Sequence, residues 1–309
     1  MKIIILGGHG FVGSQVTELL KESRHEVLPL SRKDGLDLTD YENTESKFKK
    51  TMPDLIINCA AHVGSLHYVT ENAATVVDEN MQMILNIYRA AKNISTDITI
   101  INPISNCSYP GDADVQRESE WWNGPVHQSV WSYGNMKRML AVVSDCYAIQ
   151  HKMKSINFLV ANTYGPGDTT DPNKTHALNG MIIRMLHSKN DADPEFEIWG
   201  SGKPMREWIY IADLGKLLVD AISSKVENAD LINLAQNNSY SIKDTAEMIK
   251  ELSGYSGKLV FNTEYQDGAP KKQLDDTLFR KKYPNFTFTE MKKGIENTIK
   301  YYKKELNIS

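Results

Sequence analysis

Short apolar runs alternate with helical patterns through the first half of the chain. Near-continuous apolar runs, the pattern of strands buried on both faces, predict strands at residues 2–6, 25–30, 54–61, 97–101 and 155–162. Amphipathic patterns between them predict helices at 14–22, 72–92 and 131–150. Strands separated by helices in this way form a parallel sheet covered on both faces. The pattern therefore predicts an α/β fold with a doubly wound, Rossmann-type sheet.

The rhythm changes after residue 163, where a polar segment rich in glycine and proline, YGPGDTTDPNKTH, begins. Beyond it the patterns predict helices at 176–188, 213–223, 241–253 and 289–304, and strands at 196–199, 206–211 and 231–235. We expect a dinucleotide-binding domain over 1–163, to which 207–236 returns. Residues 164–206 and 237–309 are expected to form a smaller C-terminal α/β lobe that binds the substrate.

Composition narrows the choice of partners and cellular setting. The 309 residues are 41% hydrophobic and 24% charged, with a formal net charge of −4 and an isoelectric point of about 6.1. Without a basic excess or a long apolar run, we expect neither a nucleic-acid partner nor membrane association. Three scattered cysteines do not resemble a disulfide framework, which indicates a reduced, cytoplasmic protein. No His, Cys or Asp spacing matches a set of metal ligands, so we expect no metal.

The glycine-rich segment GGHGFVG, residues 7–13, joins the first predicted strand to the first predicted helix. Gly7, Gly10 and Gly13 permit a tight turn in which backbone N–H groups approach a pyrophosphate at the N-terminus of a helix. A structural turn alone would also use glycine, but the position between strand and helix favours a dinucleotide site. Phe11 and Val12 are expected to contact the same cofactor.

The end of the second predicted strand indicates which cofactor is used. An acidic residue there usually binds the ribose 2′-hydroxyl of NADH, whereas arginine suits the 2′-phosphate of NADPH. This chain has Ser31, Arg32 and Lys33 at that place, which predicts NADPH and its product NADP. A solvated basic loop is the alternative, because Asp34 and Asp37 follow closely.

Three residues form a candidate proton relay. Tyr133 and Lys137, in the segment SYGNMK, are four residues apart and so lie on one face of the predicted helix. A tyrosine hydroxyl can donate a proton to a developing alkoxide, and a nearby lysine is expected to lower its pKa from about 10. Ser105, at the end of the fourth predicted strand, can hydrogen-bond the same oxygen. An ordinary surface pair is the alternative for the tyrosine and lysine.

Together these motifs resemble the extended short-chain dehydrogenase/reductase family over nearly the whole chain. The segments that carry the resemblance are GGHGFVG, NCAA (58–61), ISNCSYP, YGNMK, ANTYGP (161–166) and WGSGKPMREWIYIADL (199–214). The resemblance implies that Tyr133 is the general acid for carbonyl reduction, that Lys137 holds the cofactor ribose, and that Ser105 orients the keto group. Further cofactor contacts are expected at Asp37, Leu38, Ala60 and Ala61.

The residues after Ser105 distinguish branches of this family. Sugar dehydratases have an Asp–Glu pair there, but this chain has Asn106 and Cys107, and SNCSYP resembles the S-S-C-x-Y-P of the GDP-L-fucose synthase branch. That branch epimerises and then reduces a GDP-4-keto-6-deoxy sugar. The resemblance implies Cys107 as base and His176 as acid. A nearby cation can bring the pKa of a thiol, about 8.5, towards neutrality, and a free imidazole has its pKa near neutrality. A small buried hydrophobe is the alternative for Cys107.

Segments THALNGMIIR, WGSGKPMRE and DGAPKKQLD resemble the same branch and imply the substrate contacts. The implied residues are Asn162, His176, Arg184, Trp199, Arg206 and Lys272. By this resemblance Arg206 and Lys272 hold the substrate diphosphate, and Trp199 lies against the nucleotide-sugar. His176 and Arg184, eight residues apart on a predicted helix, are expected to reach one pocket. The chain departs from the branch at Thr169, Thr170, Asn179 and Gly180, and has YGNMK for Y-A-x-A-K.

The sequence therefore predicts NADPH-dependent reduction of a GDP-4-keto sugar, a 6-deoxyhexose or a heptose, with or without epimerisation at carbons 3 and 5. A reductase without epimerase activity, a nucleotide-sugar 4-epimerase with bound NAD, and a regulatory module that senses NADP are the alternatives. Arg32 and Cys107 disfavour the 4-epimerase, and a complete proton relay disfavours the module. The resemblance also implies a homodimer that packs through the helices at 72–92 and 131–150.

Overall fold

The computed structural model describes residues 1–223 and 231–308 and is built on a six-stranded parallel sheet. Its strands in chain order are β1 (Lys2–Leu6), β2 (Glu26–Leu30), β3 (Leu55–Asn58), β4 (Thr99–Ser105), β5 (Lys154–Val160) and β9 (Ile232–Leu234). They lie in the spatial order β2-β1-β3-β4-β5-β9, and every neighbouring pair is parallel. The central strands are almost wholly apolar and buried, as expected for a sheet covered on both faces. This confirms the predicted α/β fold.

Helices cover the sheet in two layers. They are α1 (Phe11–Leu20), α2 (Tyr41–Thr51), α3 (Leu66–Glu71), α4 (Ala73–Ile94), α5 (Trp131–His151) and α7 (Ile211–Asp220). Helix α4 packs between α2 and α5, whereas α1 packs against α7. The chain moves one way along the sheet through α1 and the other way through α2, α4 and α5. Right-handed connections therefore place α1 on one face and α2, α4 and α5 on the other. Helix α7, which precedes β9, packs against α1 and so shares its face.

A smaller lobe has its own sheets and its own core. Its strands are β6 (Asn162–Tyr164), β7 (Glu195–Trp199), β8 (Met205–Tyr210), β10 (Ser239–Ser241), β11 (Lys258–Asn262) and β12 (Lys271–Lys272). Its helices are α6 (Ala177–Asn190), α8 (Ile242–Ser253) and α10 (Met291–Glu305). Helix α9 (Thr277–Lys282) instead packs against β9, and its Phe279 lies in the core of the large sheet. Strand β8 is central, pairing with β6, β10 and β12, while β7 pairs with β11. Helices α6, α8 and α10 pack together around Ile182, Leu186 and Ile249.

Several elements differ from the sequence patterns. Helix α2 is missing from the prediction because it is strongly polar and buries only Thr44 and Phe48 among its own residues. Helix α1 begins at Phe11, inside the glycine motif, rather than at residue 14. Strand β9 lies in the large sheet, but β8 lies in the lobe, although both fall within the predicted return over 207–236. Residues 224–230 of that return lie outside the described residues, and the domain boundaries stay a prediction.

The parallel sheet brings its candidate residues to one edge. The glycine turn follows β1, Ser31 follows β2, Cys59 follows β3, Ser105 ends β4 and Asn162 comes two residues after β5. Because the carboxyl ends of parallel strands share an edge, these segments converge although they are spread over the first half of the chain. In the smaller lobe, the pairing of β8 with β12 brings Arg206 and Lys272 side by side.

Candidate active site

The glycine turn fits a dinucleotide pyrophosphate. Gly7 has a φ of +68°, and a Cβ placed on Gly13 would lie 2.2 Å from the carbonyl oxygen of Gly7. Gly10 caps α1 in an extended conformation, and its N–H donates to the Gly7 carbonyl at 2.8 Å. The turn is therefore too tight for side chains and presents the N-terminus of a ten-residue helix, the arrangement that binds phosphate.

The segment after β2 holds an exposed arginine beside two carboxylates. The N–H of Lys33 donates to Ser31 Oγ at 3.1 Å, and that of Ser31 donates to Asp34 at 2.8 Å. These bonds fix a short turn at residues 32–34. The Arg32 guanidinium then lies 3.3 Å from Glu79 Oε2 and 4.0 Å from Asp37 Oδ1. Its planar fork is largely exposed, so a 2′-phosphate would compete with these carboxylates for it.

A short 3-10 turn, Asn106–Ser108, carries Cys107 directly after β4. The Cys107 N–H donates to Ser105 Oγ at 3.2 Å, and Ser108 Oγ donates to the Ser105 carbonyl at 2.7 Å. Arg138, in α5, donates through Nε to the Ser108 carbonyl at 2.6 Å. Trp121 Nε1 donates to Ser108 Oγ at 2.9 Å. The turn is therefore held from both sides and has little freedom to move.

Helix α5 places Tyr133 and Lys137 against this turn. A Cβ on Gly134 would lie 2.5 Å from the Cys107 carbonyl oxygen, so the glycine of YGNMK lets the helix and turn approach closely. The Lys137 ammonium lies over the Tyr133 ring, 5.6 Å from its centroid. Burial lowers the pKa of Lys137 to about 8, against the opposing effects of Cys59 and Cys107.

The expected direction of the Tyr133 pKa is wrong for the free protein. Burial, followed by the nearby Cys107, raises the pKa of the Tyr133 hydroxyl above its ordinary value. A buried phenolate loses its hydration, and here this cost exceeds any help from Lys137. Tyr133 therefore holds its proton firmly near neutrality, as a proton donor must.

Cys107 lies beside the cations of the smaller lobe. Lys272 Nζ is 3.1 Å from Cys107 Sγ, and Lys272 is paired with Arg206 across β12 and β8. Burial opposes ionisation of the thiol, but the charge of Lys272, the hydrogen bond of Ser105 and the charge of Arg206 outweigh it. The pKa of Cys107 is consequently lowered from its ordinary value. The alternative of an inert buried hydrophobe does not explain these contacts.

His176 caps α6 and is oriented by an acid. Its Nδ1 and its backbone N–H lie 3.0 and 2.8 Å from Asp168 Oδ2, and its ring packs 5.3 Å from that of Phe11 in the glycine turn. The side-chain amide of Asn179 donates to the same oxygen at 2.9 Å. Burial opposes ionisation of Asp168, but its bonds with His176 and Asn179 outweigh burial and lower its pKa. With Nδ1 engaged, Nε2 is the nitrogen left to face a substrate.

Arg184 and Trp199 form a separate aromatic cluster. The Arg184 guanidinium lies 4.5 Å from the Trp199 ring centroid and 4.9 Å from that of Phe196. Trp199 is 45% exposed and stacks on Tyr265 at 5.0 Å with an interplanar angle of 19°. Arg184 and His176 thus have different contacts, and their convergence on one pocket stays a prediction.

Four residues that help to position the site were not identified as site residues from the sequence. Asp168 and Asn179 orient His176, Glu79 pairs with Arg32, and the buried Glu207 accepts the backbone N–H of Leu274 at 2.8 Å beside Lys272. The Asn162 side chain donates to the backbone carbonyl of Glu207 at 2.9 Å. The one available signal was the departure at Asn179, which carries a polar side chain where the resembling branch has an apolar one.

Residues 1–223 and 231–308 can also be considered for a metal site and for membrane-spanning helices. They contain no group of three or more His, Cys, Asp or Glu side chains placed to hold a metal ion. None of their helices is both long enough and apolar enough to cross a membrane.

Comparison with known proteins places the chain in a family. Residues 3–235 match the NAD dependent epimerase/dehydratase family. A GDP-L-fucose synthase from Dictyostelium discoideum is 30% identical over 305 residues, which cover 97% of this chain and 94% of that protein. The chain therefore belongs to the NAD dependent epimerase/dehydratase family, which confirms the resemblance to extended short-chain dehydrogenase/reductases.

Solved structures share the whole fold. A GDP-L-fucose synthetase from Naegleria fowleri superimposes with a TM-score of 0.86 at 25% identity, covering 99% of this chain and 94% of that one. A second structure under that name and from that organism is bound to NADP. A GDP-6-OMe-4-keto-L-xylo-heptose reductase from Campylobacter jejuni superimposes with a TM-score of 0.88, covering 98% of both chains, and at 23% identity this is a likeness of fold.

Replacing Asp168 should reveal its role in a pH-dependent way. Since its folded pKa is lowered, its carboxylate stabilises the fold above its unfolded pKa of about 4, and this contribution disappears as the pH falls through the folded value. We expect Asp168→Asn to cost about 1–3 kcal/mol at pH 7, because an amide meets the donors of His176 and Asn179. Urea unfolding across pH 3.5–7 measures this, and the cost should shrink towards low pH.

Asp171→Asn is the matched control, because Asp171 lies in the same loop but its side chain is 41% exposed. A cost for Asp168→Asn that is equal at every pH, or equal to that of Asp171→Asn, would contradict the assignment.

Proposed function

We propose that this protein uses NADPH to reduce the 4-keto group of a GDP-4-keto sugar, after inverting the sugar at carbons 3 and 5. The observation that carries the proposal is the turn after β4. There Ser105 and Cys107 lie against Tyr133 and Lys137 of α5, while Lys272 of the smaller lobe contacts the thiol. One site thus combines a set of groups for reduction with a candidate base. The names of the relatives, GDP-L-fucose synthase above all, support the same reaction.

The cofactor assignment rests on two features. The tight turn of Gly7 and Gly13 fits the pyrophosphate, and the exposed fork of Arg32 fits a 2′-phosphate. The NADP-bound structure of the Naegleria protein supports this choice. When bound, NADPH supplies the hydride for the keto carbon, and Ala60, Ala61 and Leu38 are proposed to complete its binding site.

Side chains of this protein are proposed to bind and protonate the keto oxygen. Ser105 Oγ accepts the N–H of Cys107, and its hydroxyl hydrogen, which stabilises the Cys107 thiolate before substrate binds, is proposed to turn to the keto oxygen when substrate is bound. The Tyr133 hydroxyl, whose pKa is raised by burial, donates its proton as the oxygen gains negative charge. Lys137 supplies positive charge beside this exchange and is proposed to hold the ribose of the cofactor.

Epimerisation requires a base and an acid next to an acidified carbon. The hydrogens on carbons adjacent to a keto group are acidic, because the resulting carbanion delocalises as an enolate. The Cys107 thiolate is proposed to remove such a proton, and His176, held by Asp168, to return one from the other face. The electron pair stays on the sugar throughout, so this part of the reaction consumes no reductant.

The smaller lobe is proposed to bind the nucleotide part of the substrate. Arg206 and Lys272 supply paired positive charge for a diphosphate, and Trp199, lying over Arg184, supplies an exposed ring for stacking. Thr169 and Thr170, in the loop before His176, are proposed to select the sugar type. A 6-deoxyhexose and a heptose are both compatible with the names of the relatives.

We also propose a cytoplasmic homodimer. Helices α4 and α5 pack side by side and leave Val77, Leu85, Met139 and Ile149 exposed, which supports pairing with a second copy. All three cysteines are free thiols, which supports a reducing compartment.

Tyr133→Phe should cut the rate of reduction by about 10²-fold or more, the usual size of a general-acid contribution. The assay follows NADPH oxidation with an already epimerised GDP-4-keto sugar. Tyr147→Phe, on the same helix, is the control and should keep its activity. Near-normal turnover by Tyr133→Phe, or better use of NADH than of NADPH by the wild type, would contradict the proposal.

Cys107→Ser should separate the two reactions, because serine is too weak an acid to form the base. We expect it to keep reduction of an already epimerised sugar and to lose conversion of the unepimerised one. Product analysis with both substrates measures this, and the exposed Cys146→Ser is the control. Epimerised product from the unepimerised sugar with Cys107→Ser would contradict the role of Cys107 as base, and loss of both reactions in a folded variant would assign Cys107 to the hydride step.

A further inference from the structure

The contact between Cys107 and Lys272 joins residues 165 positions apart in the sequence and from different lobes. Lys272 Nζ lies 3.1 Å from Cys107 Sγ, and Lys272 as a whole is only 8% exposed. A lysine ammonium is strongly hydrated, so burying it against sulfur is costly unless the sulfur carries negative charge. The short, buried contact therefore favours an ammonium paired with a thiolate.

The backbone around Lys272 is fixed on two sides. On one side, β12 pairs with β8 and the N–H of Leu274 donates to the buried Glu207 at 2.8 Å. On the other side, the N–H of Gln116 donates to the Gln273 carbonyl at 2.7 Å, and the N–H of Asp275 donates to the Gln116 carbonyl at 3.0 Å. Gln116 in turn reaches the Asn106 carbonyl, in the turn that carries Cys107, at 3.5 Å. These hydrogen bonds fix the backbone that positions the Lys272 side chain beside the thiol.

Groups from every packed element face this thiol. Lys272 comes from β12, Arg206 from β8, Ser105 from β4, and Tyr133 and Lys137 from α5. His127, before α5, faces Lys272 and Arg206, and its pKa is lowered by burial and by those two cations. The surroundings of the thiol are therefore cationic, apart from the neutral Ser105 and Tyr133.

Cys59 serves as a comparison within the same protein. Burial opposes the ionisation of both thiols, and both lie near Lys137. Burial raises the pKa of Cys59 to about 12, against a small opposing effect of Lys137. The pKa of Cys107 is instead lowered, and the groups that act on it and not on Cys59 are led by Lys272. The lobe that supplies Lys272 accounts for the difference between an inert thiol and a base.

We propose that Lys272 is the positioning residue that keeps Cys107 as a thiolate, so that the epimerisation base forms only where the two lobes meet. The proposal rests on the proposed function of Cys107. Before substrate binds, the thiol proton passes to solvent and the ammonium balances the charge. The thiolate then takes the proton next to the keto carbon, leaving the electron pair in the enolate. An ammonium has three N–H donors, so Lys272 can contact the substrate diphosphate as well.

Alkylation of Cys107 by iodoacetamide tests this directly, because the thiolate is the reacting form. The rate is followed from pH 5 to 10 by mass spectrometry of the Cys107 peptide. We expect Lys272→Met to slow alkylation at pH 7 by about tenfold and to raise its pH midpoint by about one unit or more. Lys272→Arg should keep the midpoint near that of the wild type, because it keeps the charge.

Lys271→Met is the matched control, since Lys271 is the neighbouring residue but pairs with Asp114 at 3.0 Å. Half-buried Cys59, whose pKa is raised to about 12, reports in each sample whether the fold is intact, and Lys272→Gln replaces the Met variant if that one does not fold. An unchanged midpoint in Lys272→Met or Lys272→Gln would overturn the proposal, as would an equal shift in Lys271→Met.

Kinetics separate this proposal from the function on which it rests. If Lys272 served the diphosphate alone, Lys272→Met would raise KM for both reactions and leave kcat unchanged, which would overturn the proposal. We expect it instead to lower kcat for epimerisation far more than kcat for reduction of an epimerised sugar and to move the pH profile of epimerisation upwards, in addition to any rise in KM that loss of the diphosphate contact causes in both reactions. If the wild type shows no epimerisation while the alkylation midpoint still shifts in Lys272→Met, Cys107 is not an epimerisation base, but the proposal that Lys272 keeps it as a thiolate is retained.

Discussion

The pairing of β8 with β12 is the constraint on which the site depends. The buried carboxylate of Glu207 accepts the N–H groups of Leu274 and Gln236 at 2.8 and 2.7 Å, and so fixes a strand only two residues long. Burial raises the pKa of Glu207 to about 7, and these backbone donors oppose the rise. The register that results places Lys272 beside Arg206, and both beside Cys107. A slip of one residue would turn Lys272 to the other face of the strand.

The two halves of the proposed chemistry come from different parts of the molecule. Groups for reduction lie at the carboxyl edge of the parallel sheet, with Ser105 at the end of β4 and Tyr133 on the helix that follows. The groups proposed for inversion involve the smaller lobe, because Lys272 contacts the Cys107 thiol and His176 is the N-cap of α6. Reduction can therefore be common to many members of a family, while inversion depends on how one lobe meets the sheet.

The sequence predicts what depends on local pattern and misses what depends on distant contacts. The doubly wound parallel sheet, the glycine turn and the spacing of Tyr133 and Lys137 follow from periodicity and short motifs. The bond between Cys107 and Lys272 joins segments 165 residues apart, and Asp168 lies in an irregular loop, so neither contact has a local signal. The pKa of Tyr133 was predicted in the wrong direction because burial, which a sequence does not display, exceeds the effect of the lysine.

Hydrogen exchange at the sugar tests the central claim most directly. The protein would be incubated in heavy water with NADPH and a GDP-4-keto-6-deoxy sugar, and the product examined for deuterium at carbons 3 and 5. A thiolate base and an imidazole acid predict deuterium at both carbons of the reduced sugar. Reduction without deuterium at either carbon would contradict the claim, leaving a dedicated reductase in which Cys107 has no role as a base.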